Sequence, residues 1–175
     1  HRQSQSSNYH CKRKSVFDLN TFQFIKHDKL PANNNEICYR CFVSKSENGQ
    51  VQEMMKTNQK NKRNYQMLLF SFRAGLSIEY DEDNNTFQFQ KLPACDDIAS
   101  FNYYAYVCIN DIILFFGGYG GNVVSKSVHK YSIRENKWMA FRKTLPSPLR
   151  NCVAILSEED NDIHIIGGVN NKNIQ

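Results

Sequence analysis

Asn110-Asp111-Ile112-Ile113-Leu114-Phe115-Phe116-Gly117-Gly118 and Asn161-Asp162-Ile163-His164-Ile165-Ile166-Gly167-Gly168 are two versions of one phrase. Each is a polar turn, a short apolar run and a pair of glycines. The glycine pairs stand 50 residues apart. A period of that size marks a supersecondary unit stacked on copies of itself. One copy cannot bury its apolar face alone, so fold and function belong to the array.

Further marks keep the same order. Tyr131 is followed by Trp138 across Arg134-Glu135-Asn136-Lys137, and Tyr80 by Phe87 across Asp81-Glu82-Asp83-Asn84-Asn85. Phe17 and Phe22 flank Asp18-Leu19-Asn20 in the same way. Asp and Asn suit such turns because they bond nearby backbone groups and tolerate left-handed conformations. Asn84-Asn85-Thr86 fits a glycosylation acceptor, but its place in the repeated turn accounts for it. Each aromatic pair is followed by Leu-Pro, at Leu30-Pro31, Leu92-Pro93 and Leu145-Pro146. Proline has no amide donor and closes a strand rather than sitting inside a ladder. Period and punctuation place strands near 13–18, 21–26, 37–44, 65–72, 76–81, 86–90, 102–109, 112–117, 127–133, 137–142, 151–156 and 162–166. No stretch shows an amphipathic helical stripe.

With these marks in place, the chain resembles the kelch repeat. Residues 101–143 fit its pattern: an apolar strand, a strand ending in Gly117-Gly118, a strand carrying Tyr131 and a strand opening on Trp138. From 145 onward the pattern restarts, and Arg150 resembles the arginine that opens a repeat. Toward the N-terminus the chain departs from it. Leu69-Phe70-Ser71-Phe72-Arg73-Ala74 lacks both glycines, and Phe87 and Phe22 stand where Trp is usual. The resemblance implies an all-β fold, a partial β-propeller of four-stranded antiparallel kelch blades. The expected division is a blade half at 13–30, a blade at 37–91 with an insertion at 45–64, a blade at 101–143 and a blade half at 150–168. The chain opens on His1 and leaves its last blade unfinished, so the remaining propeller blades are expected in a longer parent chain.

The expected structural marks are Gly117, Gly118, Gly167, Gly168, Tyr80, Phe87, Tyr131 and Trp138. Gly117-Gly118-Tyr119-Gly120-Gly121 is glycine-rich, but it lacks the Lys-Ser/Thr ending and following helix of a phosphate-binding loop. Trp138 and Tyr131 are expected between blades, where large rings bury much apolar area, rather than stacked on a ligand.

Charge narrows the partners. The chain of 175 residues carries +5. Residues 1–15 contribute +4 and residues 45–63 contribute +3, which leaves −2 for the rest. The basic charge therefore sits in a terminus and one polar insertion, and neither is a nucleic-acid-binding module. The insertion is rich in Asn, Gln and Lys, too poor in apolar residues to order itself, and is expected to be flexible and dispensable. No apolar run is long enough for a membrane span.

Catalytic and metal signals are weak along the chain. Of the six cysteines, only Cys38 and Cys41 form a CxxC, with no second pair to complete a zinc site. In a strand, residues three apart point to opposite faces. Cys108 and Cys152 read as small core residues, and free thiols point to a reducing, cytoplasmic location. His1, His10, His27, His129 and His164 share no ligand spacing, and His164 reads as a core histidine inside an apolar strand. Asp96-Asp97 and Glu158-Glu159-Asp160 read as loop acids facing water. No nucleophile motif is present. The expectation is no catalytic residue, no metal and no cofactor.

The resemblance implies an interaction scaffold that binds another protein or peptide. Two other readings are a fragment of a kelch-like copper oxidase, needing Tyr, Cys and His at the propeller axis, and a degenerate remnant without a partner. In an up-and-down blade, loops after Gly-Gly and loops before each first strand share one end, opposite the 45–64 insertion. The candidate binding face there holds Arg73, Asp96, Asp97, Tyr119, Asn122 and Arg150. The competing reading of Arg150 is a tie between neighbouring strands.

Overall fold

The computed structural model describes residues 13–18, 21–31, 41–45, 64–71, 74–157, 159 and 161–169. The 45–64 insertion, apart from its two end residues, and Arg73 lie outside the described residues. The chain forms two compact units, His1–Ile37 and Cys38–Gln175. In the first, β1 (Arg13–Asp18) and β2 (Gln23–Lys29) make an antiparallel hairpin with a register shift between Val16 and Phe17. Phe22 in its turn has φ 53°, a costly conformation for a bulky residue.

The second unit opens with β3 (Cys41–Lys45), β4 (Asn64–Ser71), β5 (Ala74–Asp81) and β6 (Thr86–Leu92). They form a four-stranded antiparallel sheet in chain order. A one-turn helix, α1 (Asp96–Ala99), follows. The chain then runs β7 (Ala105–Ile109), β8 (Ile112–Phe116), the short arms β9 (Tyr119–Gly120) and β10 (Val123–Val124), β11 (Val128–Ser132) and β12 (Lys137–Ala140). β12, β11, β8 and β7 form the second four-stranded antiparallel sheet. β13 (Arg150–Ser157) and β14 (Asp162–Val169) pair as a third, two-stranded antiparallel element.

Three details differ from the sequence expectation. Asp96 and Asp97 open a helical turn rather than a loop, because the linker tucks Ile98 into the core. The strand expected from 102 starts at Ala105. Tyr103 takes φ 59° and breaks the run, and Asn102 bridges Tyr119 instead. His164 is exposed: Ile163 and Ile165 alternate inward and leave it on the outer face of β14.

The second sheet is apolar on both faces, as a blade between two others must be. Ile113, Phe115 and Tyr131 pack with Cys41, Val43, Leu68 and Phe70 of the first sheet, and Trp138 closes over them. Ala105, Val107 and Phe116 pack with Cys152 and Ala154 of β13.

The repeated turns share one construction. Asn85 and Asn136 take φ 50° and 54°. Each accepts a hydrogen bond on Oδ1 from a tyrosine five residues earlier, Tyr80 and Tyr131 respectively. Asn84 bonds Asp81 through both backbone and side-chain nitrogen, so Asn84-Asn85-Thr86 does serve the turn. Tyr131→Phe is expected to lower stability by about 1 kcal/mol, the net worth of one hydrogen bond. Asn136→Gly keeps the positive φ and removes the same bond. In urea unfolding the double variant should therefore cost less than the two single losses added together. Strict additivity would show that the hydroxyl and the amide act separately.

Candidate functional site

Register fixes which loops meet. Ala105 and Val128 both pair with Phe116, so the end of β8 and the starts of β7 and β11 lie at one end of the blade. Two backbone crossings seal this end. Asn102 and Tyr119 exchange both amide–carbonyl hydrogen bonds, at 2.8 and 2.7 Å. The Gly118 amide donates to the Leu149 carbonyl at 2.8 Å, just ahead of β13. The glycines allow this. Gly117 and Gly118 take φ 67° and 109°, and Gly167 and Gly168 repeat the pair at 79° and 103°. Both copies of the phrase therefore carry a pair of positive-φ glycines, just after β8 in the first and within the last residues of β14 in the second.

That frame gathers three of the six candidate face residues. The Arg150 guanidinium lies over the Tyr119 ring, 4.7 Å from its centroid, in cation–π range. The Tyr119 hydroxyl donates to Asn122 Oδ1 at 3.2 Å. Asn122 is exposed at φ 65°, and Tyr119 and Arg150 are half-buried. Arg150 Nε is buried without a hydrogen bond inside the protein. The residue also pairs with Val169 through its backbone, so it sits at a strand junction and faces an aromatic ring at once. Asp96 and Asp97 stand on α1.

Asp97 meets a different group. Its Oδ2 lies 3.9 Å from His129 Nε2, and Cys95 Sγ is within 4.8 Å of both ligand atoms. His129 is buried in β11, Cys95 is half-buried and Asp97 is exposed. Burial lowers the His129 pKa below its usual value, partly opposed by the Asp97 carboxylate. Spacing along the chain hides this group, because two members precede β7 and the third lies in β11. The alternation of β11, with His129 and Tyr131 both buried on one side, is the sequence signal that could have placed His129 toward the first sheet.

The remaining candidates are structural. Burial pushes the thiols of Cys41, Cys108 and Cys152 up, the direction that makes a thiol inert. Among the described residues, Cys41, Cys95, Cys108 and Cys152 are free. The Tyr131 hydroxyl is committed to Asn136. Trp138 lies between blades, its ring 5.3 Å from Phe70 and its Nε1 donating to the Pro93 carbonyl at 2.9 Å. No described helix is long and apolar enough to cross a membrane.

Comparison with known proteins agrees with this architecture. Residues 100–142 match the family model described as the Kelch motif. No curated protein sequence matches the chain. Among solved structures, one titled "Structure of YjhT" is similar to 60% of this chain, with a TM-score of 0.51 and 20% identity. The match covers 32% of that structure, so this chain spans about a third of its length. At that identity the likeness concerns the fold alone. The chain carries a kelch motif, and its four-stranded antiparallel sheets are blades of a partial β-propeller.

Proposed function

We propose that the chain is a non-catalytic interaction module, and that its glycine-pair end binds another protein or a peptide. The observation that carries this reading is the Tyr119–Arg150–Asn122 cluster. An aromatic ring, a guanidinium and an amide stand together on a sealed backbone frame. Loops on a rigid scaffold carry recognition, and Tyr and Arg are favoured anchors of binding energy. The half-buried Arg150 guanidinium suits a carboxylate or carbonyl of a bound segment. The exposed Val153, Ile155 and Ile166 form the kind of apolar face that a neighbouring blade covers in an array. The free cysteines fit a reducing, cytoplasmic setting.

A peptide-display library panned on the purified chain tests the proposal. Enriched peptides should bind at least about tenfold more weakly to Tyr119→Ala, the scale of one anchor residue. Glu135→Ala, at the opposite end, should leave binding unchanged. The reading fails if no peptide is enriched, or if the enriched peptides ignore Tyr119→Ala.

A further inference from the structure

Cys95, Asp97 and His129 bring a thiol, a carboxylate and an imidazole to one point, with their ligand atoms within 4.8 Å of one another. The His129–Asp97 separation of 3.9 Å is too long for a direct hydrogen bond. It is close to the spacing of ligands around a shared ion. With bonds of about 2.0–2.3 Å, atoms bound to one tetrahedral zinc stand roughly 3.3–3.6 Å apart. Closing the group on an ion therefore draws its atoms together by at most about 1.5 Å, shared between side-chain rotations at the half-buried Cys95 and the exposed Asp97.

The frame around the group is already fixed. Cys95 packs against the core and accepts the Ile98 amide on its carbonyl at 3.2 Å. The Pro93 carbonyl two residues earlier is held by Trp138. Ile98 anchors α1 in the same core. His129 is paired within β11 to both Phe115 and Ala140. Asp97 is the member most open to water, its side chain 72% exposed, which gives an ion a way in.

We propose that Cys95 Sγ, Asp97 and His129 Nε2 bind a divalent cation of the zinc class at the junction of the first two sheets. Mixed sulfur, nitrogen and oxygen donors select such a borderline-soft ion over magnesium or calcium, which take oxygen ligands. Three protein ligands leave a fourth position, on the Asp97 side, for water or an external donor. The bound ion ties the inter-blade linker to β11. This assignment stands independently of the peptide-binding reading.

Cobalt(II) is the probe, added to the reduced, chelator-treated chain and then displaced by zinc. One equivalent should give a thiolate-to-cobalt charge-transfer band and the strong visible bands of a tetrahedral site. Cys95→Ser should abolish the charge-transfer band, while Cys41→Ser, Cys108→Ser and Cys152→Ser retain it. His129→Ala risks the fold because the residue is buried, so Asp97→Asn supplies the second variant. With an unchanged circular dichroism spectrum, it should weaken zinc binding by at least about tenfold, since even an outer-shell partner is worth that much. Absence of the band at one equivalent, its survival in Cys95→Ser, or unchanged zinc affinity in folded Asp97→Asn would overturn the proposal.

Discussion

Gly117→Val is expected to be among the most damaging single substitutions in this chain, costing more than about 4 kcal/mol. Such a loss needs a specific mechanism, and here two coincide. Gly117 takes φ 67°, a genuine outlier for a β-branched residue and a strain of about 1–3 kcal/mol. A Cβ there would also overlap the Leu149 carbonyl oxygen. That oxygen accepts the Gly118 amide at 2.8 Å, so moving it opens the crossing between β8 and β13. Gly118→Val follows at a smaller cost, with φ 109° and Asn102 O and Phe101 Cβ each 3.2 Å from the added carbon. Gly121→Val retains only the strain, because nothing lies within 4 Å of a Cβ at that turn. Urea unfolding midpoints should rank the three in that order. If Gly121→Val proves as damaging as Gly117→Val, close approach at the repeated pair is not what holds the blade end together.

The same contrast shows why the repeat was legible and the site was not. The glycine pair recurs at 117–118 and 167–168 and the Tyr–Asn lock at Tyr80–Asn85 and Tyr131–Asn136, because each solves the same local problem where it stands. Local problems leave local residues in the sequence. β9 and β10 left no such trace. Two-residue arms are too short for alternation, and Tyr119 to Val124 reads as a glycine-rich loop. Gly120 has no repeat partner, yet a Cβ there would overlap the Ser100 carbonyl. Its need for glycine comes from a chain segment that only the fold brings near. The Arg150–Tyr119 stack and the Cys95–Asp97–His129 group are of the same kind. Each joins a linker or loop to a distant strand, and composition along the chain carries no period for such meetings. His164 misled for a related reason. Its apolar neighbours marked a strand correctly, but which face of that strand is covered depends on the next element.

Phe70 lies where the repeat pattern fails, and the second large effect is expected there. The sequence has Leu69-Phe70-Ser71-Phe72-Arg73-Ala74 where the repeat has its apolar run and glycine pair. In the fold Phe70 is 4% exposed, and its ring meets Phe115 at 5.8 Å, Tyr131 at 4.7 Å and Trp138 at 5.3 Å. These three partners all belong to the second sheet, so Phe70 is a principal apolar link between the first two blades. Its backbone carbonyl also accepts the Tyr104 hydroxyl at 3.2 Å. Phe70→Ala should cost about 3–5 kcal/mol, the range for truncating a buried phenylalanine, because the surrounding rings cannot collapse onto the space without leaving their edge-to-face arrangement. Phe87→Ala is the control. That ring is half-buried and stacks on Tyr80 at 4.7 Å and on Phe89 at 6.3 Å in its own sheet, so its loss should be the smaller. Trp138 is the single tryptophan and reports the difference directly. Its fluorescence should shift toward the solvent-exposed wavelength in Phe70→Ala and stay in place in Phe87→Ala. Equal stability losses with an unmoved Trp138 emission would show that the blades are joined through the α1 linker rather than through this aromatic cluster.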